Sequence, residues 1–175
     1  NPPEYNGIKI FDANGNKLKT SKEIEIEKYI NAIRDIDYNN PTKQYFSVKA
    51  ELLEMYIDDL INSIEEDNIR DLKIILDTSH GSATSCAEKV FKSLGAKVKV
   101  INSDADGTKI NVNCGSTDLS ALRKAILEND SDMGFSFDGD ADRVIGMDSK
   151  GNILDGDHIL FLWGRELMNT KRLNN

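Results

Sequence analysis

Residues 133–147 read MGFSFDGDADRVIGM, and the fold that we expect is built around this stretch. Its two apolar segments, 133–137 and 144–147, have the short length and composition of β-strands. The connection between them, residues 138–143, is too short for a crossover, because parallel neighbours need a dozen or more connecting residues. The two strands are therefore predicted to pair antiparallel, with an acidic turn between them.

The acidic turn predicts a metal site. Asp138, Asp140 and Asp142 alternate with Gly139 and Ala141, so the three carboxylates can converge on one point. Converging carboxylates repel one another unless a cation lies among them. Ligands that are all oxygen favour a hard divalent ion, Mg²⁺, Mn²⁺ or Ca²⁺, over zinc. A solvated acidic turn is the structural alternative, but it leaves the apolar flanks and the adjoining arginine unexplained.

The residue after the acidic cluster indicates which kind of metal loop this is. An EF-hand loop beginning at Asp138 needs Gly at its sixth position and Glu at its twelfth, where this chain has Arg143 and Ser149. Arg143 instead suits a phosphate, because a guanidinium presents paired donors to phosphate oxygens. A cation and an arginine on one phosphate form the charge clamp of phosphoryl transfer. The alternative is that Arg143 only neutralises its aspartate neighbours.

The chain from Asp71 onward predicts an α/β domain. Apolar runs at 72–77 and 98–101 indicate strands, the first covered on both faces, and helical patterns end near Leu94 and Asn129. With the two strands of the opening stretch, the order is βαβαββ. We therefore expect a three-layer α/β/α domain with a mixed, mostly parallel four-stranded sheet and one antiparallel edge strand. Ligands of such sheets bind at the carboxyl ends of the parallel strands, where the acidic turn lies.

Outside this domain core the pattern predicts three more helices and one short strand. The helices are expected at 22–37, over about 18 residues from Ser47, and at 157–169. Residues 7–11 alternate like a short strand, which the turn after Phe11 ends. Having no sheet of its own, this strand is expected either to be mobile or to pair with another chain, so that the chain self-associates.

Composition excludes several classes of partner. The formal net charge of −8 comes with no basic stripe, which argues against nucleic acid as a partner. No apolar run is long enough to span a bilayer, and the start has no signal-peptide pattern, so we expect a cytoplasmic protein that does not bind membranes. Cys86 and Cys114 form no CxxC motif, which indicates free thiols in a reducing compartment.

The remaining polar candidates have simpler structural interpretations. His80 follows a predicted strand, where a loop histidine most often satisfies backbone groups. Asp104 and Asp106 have no third ligand nearby in sequence and are interpreted as turn formers. Lys9 lies on a short strand, where a lone lysine is usually solvated, and His158 carries no clear signal.

These motifs resemble those of a known family. Residues 137–143 resemble the metal loop of the α-D-phosphohexomutases, whose pattern is DGD-x-DR, and residues 1–9 resemble the sequence directly after that family's catalytic serine loop. Within the family, residues 111–117 (NVNCGST) resemble the phosphoglucosamine mutase subgroup. The alternatives are a phosphomannomutase or phosphoglucomutase, which usually carry a Pro-rich, His-containing segment there, and a metal-binding module without catalysis.

The resemblance implies a domain organisation. The family has four domains around a central cleft, and residues 1–44 would be the tail of domain 1. Residues 45–155 would be domain 2 with the metal loop, and residues 156–175 the first helix of domain 3. The catalytic serine would lie before Asn1, and most of domains 3 and 4 would lie outside the sequence. We therefore expect the 175 residues alone to be inactive.

The resemblance also implies roles for individual residues. Asp138, Asp140 and Asp142 would bind Mg²⁺, Arg143 would contact the transferring phosphate, and Lys9 would be an acid/base candidate near the serine. The implied substrate is a phosphosugar. The reaction would interconvert glucosamine 6-phosphate and glucosamine 1-phosphate through a phosphoserine and a bisphosphorylated intermediate. This activity would supply precursors of the bacterial cell wall.

Overall fold

The computed structural model describes residues 10–33, 50–64 and 69–173. The chain divides into a small unit, Tyr5–Val48, and a large unit that holds the other residues. Lys9, the start of the predicted strand at 7–11 and the helix start near Ser47 lie outside the described residues. None of the helices in the described ranges is long and apolar enough to cross a membrane.

The small unit contains a tight turn followed by a helix. Phe11 and Lys17 form a single antiparallel bridge, and the carboxylate of Asp12 accepts two backbone N–H groups inside the turn. Helix α1 (Thr20–Ala32) follows. The predicted helix is interrupted at Ile33, whose backbone is extended, and its predicted residues 34–37 lie outside the described residues. No residue of α1 is buried, so no packing within the described residues supports a longer helix.

The large unit contains five strands and four α-helices within the described residues. In chain order they are α2 (Ala50–Asn62), β1 (Lys73–Asp77), α3 (Ala87–Ser93), β2 (Lys97–Ile101), α4 (Ser120–Glu128), β3 (Met133–Phe137), β4 (Val144–Asp148), β5 (Ile153–Leu154) and α5 (Gly156–Asn169). Short 3₁₀ helices lie at Ser82–Ser85 and Gly107–Lys109. The strands form one mixed sheet in the order β2-β1-β3-β4-β5. Strand β1 pairs parallel with β2 and with β3, whereas β3–β4 and β4–β5 are antiparallel.

The α/β class and the antiparallel pairing of β3 with β4 are confirmed, but the sheet has one strand more than predicted. Strand β5 lies beyond β4, so β4 is not the edge. The hairpin between them is closed by Asp148, whose carboxylate accepts the backbone N–H groups of Lys150 and Asn152 at 2.9 and 2.8 Å. A strand of two residues is too short to show an alternating pattern, which is why the sequence did not reveal it.

Helices cover both faces of the sheet, which confirms the three-layer architecture. On one face Ile74 and Leu76 of β1 pack in a cluster with Ala87 of α3. On the other face Ile75 packs with Leu122 and Ile126 of α4, together with Met147 of β4. All four residues Ile74 to Asp77 are buried, as a strand covered on both faces requires. The packing leaves the carboxyl ends of β1 and β3 at one edge, where the acidic turn begins.

Candidate metal centre

A buried carboxylate organises the carboxyl edge of the sheet. Asp77 ends β1 and is fully buried. Its Oδ1 accepts hydrogen bonds from the Ser79 backbone N–H and the Asn102 side-chain amide, both at 3.0 Å. Its Oδ2 accepts from the Gly115 backbone N–H at 3.0 Å and from the Ser136 hydroxyl at 3.2 Å. Four donors compensate the cost of burying the charge, and they fix the loop after β2 to strands β1 and β3.

The metal loop, residues 138–143, is a tight turn that brings its carboxylates together. The Asp138 backbone N–H donates to the Arg143 carbonyl at 3.3 Å, and the Ala141 N–H donates to the Asp138 carbonyl at 3.0 Å. Ala141 has a left-handed φ of 58° at the tip of the turn. One oxygen from each of Asp138, Asp140 and Asp142 lies within 4.8 Å of the others. The predicted convergence of the three aspartates is therefore present, with Asp138 buried and the other two exposed.

Backbone contacts hold the metal loop against the segment that follows β1. The Gly139 carbonyl accepts the Ser82 N–H at 2.9 Å. A Cβ atom at Gly81 would lie only 2.4 Å from that carbonyl oxygen, and a Cβ at Gly139 would lie 2.5 Å from the Ile110 side chain. Gly81 is needed because it meets the backbone of Gly139, whereas Gly139 is needed because the side chains of Ile110 and Asn111 lie against it.

The guanidinium of Arg143 forms an ion pair with the carboxylate of Asp138. Its Nε and Nη2 atoms each lie 2.8 Å from Asp138 Oδ2, and its backbone N–H donates to Oδ1 at 3.0 Å. The hydrogen bond to Asp138 raises the pKa of Arg143 above its usual value. The Arg143 side chain is 69% exposed, so the guanidinium can be reached from solvent while it neutralises Asp138. Contact with phosphate stays a prediction.

Among the other polar candidates, His80 and Asp106 accept hydrogen bonds from nearby backbone groups, as predicted. Nδ1 of His80 accepts the Asp104 backbone N–H at 3.0 Å. The Asp106 carboxylate accepts the backbone N–H and the hydroxyl of Thr108, and His158 contacts the helix-capping Asp155. Neither Cys86 nor Cys114 forms a disulfide.

Sequence reasoning missed two residues that support the metal loop. Asp77 was included in a strand without a role, although an aspartate that ends a run of buried apolar residues requires hydrogen-bond donors from other segments. Asn111 was used only as part of a subgroup marker. Its left-handed φ of 59° and its contact with Gly139 depend on a fold that brings distant loops together.

The fold and this site define a class: α/β/α domains that carry an aspartate cluster at the carboxyl edge of the sheet. Residues 54–151 match the family model for phosphoglucomutase/phosphomannomutase, alpha/beta/alpha domain II. Residues 1–37 match domain I of the same family. The chain belongs to the phosphoglucomutase/phosphomannomutase family, which confirms the resemblance drawn from the motifs.

Two curated relatives that are similar to this chain are named phosphoglucosamine mutases. A phosphoglucosamine mutase of Prochlorococcus marinus (strain MIT 9515) is 64% identical over 100% of this chain and 39% of its own length. A phosphoglucosamine mutase of Synechococcus sp. (strain WH7803) is 44% identical over 97% of this chain and 37% of its own length. The chain thus spans about two fifths of the length of these relatives.

Solved structures have the same fold. A phosphoglucomutase/phosphomannomutase family protein from Burkholderia thailandensis is 27% identical with a TM-score of 0.61, over 69% of this chain and 26% of its own. An N-acetylglucosamine-phosphate mutase in its apo form gives a TM-score of 0.67 over 99% of this chain and 55% of its own, at 19% identity. The second likeness shows the fold alone.

The backbone contact at Gly81 gives a first test. We expect Gly81→Ala to lower the free energy of unfolding by about 1–3 kcal/mol, the usual cost of overpacking, and to weaken Mn²⁺ binding by displacing Gly139. Gly107→Ala is the matched control, because a Cβ there meets no atom within 4 Å. Chemical denaturation and Mn²⁺ titration measure both effects. Equal behaviour of the two variants would show that the Gly81–Gly139 contact does not support the loop.

Proposed function

We propose that this chain carries the metal-binding part of a phosphoglucosamine mutase, which interconverts glucosamine 6-phosphate and glucosamine 1-phosphate. The observation that carries the proposal is the convergence of three carboxylates within 4.8 Å at the carboxyl edge of the sheet, beside an exposed arginine. Relatives at 64% and 44% identity that are named phosphoglucosamine mutases support this substrate. Phosphomannomutase or phosphoglucomutase activity is the alternative within the family.

The residues of the metal loop fit Mg²⁺. Asp138, Asp140 and Asp142 offer only carboxylate oxygens, and hard cations such as Mg²⁺ take oxygen ligands. Mg²⁺ is commonly bound by one or two carboxylates together with substrate phosphate, so a partly exposed cluster suits it. A bound divalent ion would supply charge neutralisation at the phosphoryl oxygens.

Arg143 is assigned to the transferring phosphate. A guanidinium carries five N–H donors, so the contacts of Nε and Nη2 with Asp138 do not exhaust its capacity. Asp138 fixes the orientation of the guanidinium at the exposed side of the loop, where a phosphate bound near Asp140 and Asp142 would be within its reach. Such preorganised donors stabilise charge without reorganising during the reaction.

The remaining parts of the mechanism depend on the family pattern. The phosphate would come from a phosphoserine outside the 175 residues and return to it through a bisphosphorylated sugar, with Lys9 as acid or base near that serine. This function belongs to cell-wall precursor synthesis in the cytoplasm, and the two free cysteines accord with a reducing compartment.

Activity of the full-length protein tests the proposal. We expect turnover of glucosamine phosphates in preference to glucose and mannose phosphates, and its loss on chelation of divalent cations. Asp140→Asn should lower kcat by roughly a hundredfold or more, because it removes a charged ligand. Asp157→Asn, an exposed acid at the start of α5, is the matched control. A preference for mannose phosphate would assign the other subgroup, and a correctly folded protein without mutase activity would indicate a binding module.

Arg143→Gln separates the phosphate role from simple neutralisation. Because Arg143 lies on Asp138, removing its charge should strengthen Mn²⁺ binding to the loop, by roughly threefold to tenfold for a partly screened charge. If Arg143 also contacts phosphate, kcat at saturating metal should fall by roughly a hundredfold.

Arg165→Gln on α5 controls for the loss of an exposed positive charge. Calorimetric Mn²⁺ titration and steady-state kinetics provide the two measurements. Unchanged kcat at saturating metal would mean that Arg143 only neutralises the aspartates.

A further inference from the structure

Asn111 lies in the loop after β2, in a conformation that few residues adopt. Its φ of 59° is in the left-handed region, which asparagine tolerates better than most residues. Its backbone N–H donates to the Ser79 carbonyl at 3.2 Å. Ser79 in turn donates its own N–H to the buried Asp77 carboxylate at 3.0 Å. Asn111 is therefore fixed, through one intermediate residue, to the carboxylate that organises this edge of the sheet.

The side chain of Asn111 packs between two glycines. A Cβ atom at Gly139 would lie 2.9 Å from Asn111 Nδ2, and a Cβ at Gly115 would lie 3.1 Å from Asn111 Oδ1. The amide thus fills the space that side chains at both glycines would otherwise occupy. Gly139 is the second residue of the metal loop, directly between Asp138 and Asp140. The Asn111 amide is therefore in direct contact with the loop backbone between two of the candidate metal ligands.

Two polar atoms at this contact lower the stability of the fold because they are buried without hydrogen bonds. Asn111 Oδ1 and Ser79 Oγ are buried and have no hydrogen-bond partner among the residues that the structure describes. An unpaired buried acceptor costs about 1–3 kcal/mol, so an unpaired amide carbonyl does not stabilise the fold. Unsatisfied buried polar groups in native proteins call for an explanation, often a functional one. The planar amide packs against Gly139, so its contribution is to hold the position of the Gly139 backbone and not to stabilise the fold.

We propose that Asn111 is a positioning residue of the metal loop: its amide, clamped between Gly115 and Gly139, fixes the peptide that separates Asp138 from Asp140. The inference rests on the proposed function of the loop and adds a determinant from a different segment. Without the amide, Gly139 keeps its contact with Ile110 but loses the one with Asn111, and the peptide between the two carboxylates gains freedom to move.

A pair of matched variants tests this role. Asn111→Gly removes the amide while keeping the left-handed backbone accessible. Asn113→Gly makes the same change two residues away, at a φ of 54° and an exposed position. Both variants lose the same side chain and gain the same backbone freedom. Differences between them therefore report the contact with Gly139 and not the flexibility of the loop.

Four measurements compare the two variants. Without metal, hydrogen exchange at the Ser82 N–H, which donates to Gly139, should be faster in Asn111→Gly than in Asn113→Gly. With metal, Mn²⁺ affinity should fall roughly tenfold or more, as it does when outer-shell partners are lost, and the paramagnetic resonance spectrum of bound Mn²⁺ should change. The thermal midpoint of Asn111→Gly should not fall well below that of Asn113→Gly, because removing the unpaired Oδ1 relieves a cost that offsets the lost packing.

The outcomes separate this inference from the proposed function. If Asn111→Gly matches Asn113→Gly in Ser82 exchange, in Mn²⁺ affinity and in the Mn²⁺ spectrum, the positioning role is overturned while the metal loop stands. A large loss of thermal stability in Asn111→Gly alone would also overturn it, since it would show a structural role. If the unmodified protein binds no Mn²⁺, the proposed metal function fails, and Ser82 exchange alone still decides whether Asn111 holds the loop.

Discussion

The buried carboxylate of Asp77 is the constraint on which the rest of the site depends. A charge removed from water is tolerated only if donors replace its hydration, and here four donors from three separate segments do so. The two ends of the loop after β2, at Asn102 and Gly115, are both fixed by this one side chain. The carboxyl edge of the sheet is thereby closed around a single side chain, and one of its donors, Ser136, lies two residues before the metal loop.

The position of the metal loop depends on the segments that Asp77 holds together. Its turn keeps Asp138, Asp140 and Asp142 together, but its position is set by contacts of Gly139 with the segments that Asp77 holds. Repulsion among the carboxylates is opposed by Arg143, which pairs with the buried Asp138. The loop therefore gathers negative charge that favours a cation and is held in place by neighbouring segments. Both features fit the proposed binding of a metal and a phosphate together.

Much of this could be predicted from the sequence, because the signals were local. Residues 133–147 specified β3, its tight turn and the antiparallel β4, and the alternating aspartates specified their own convergence. Strand β5 was missed because two residues carry no periodicity. Helix α1 ends at Ala32, and none of its residues is buried. The contacts of Asp77 and Asn111 could not be predicted, since most of them join distant segments: Asp77 accepts hydrogen bonds from residues 25, 38 and 59 positions away in the chain.

The central claim is that a buried hydrogen-bond network, remote from the ligands, positions the metal loop. Measuring both unfolding and Mn²⁺ affinity for Asp77→Asn tests it most directly, with the exposed Asp58→Asn as control. The amide nitrogen would replace an oxygen that accepts from two of the four donors, so we expect a loss of about 1–3 kcal/mol in the free energy of unfolding. A fall of roughly tenfold in Mn²⁺ affinity should accompany it. Unchanged stability and unchanged affinity would contradict the account.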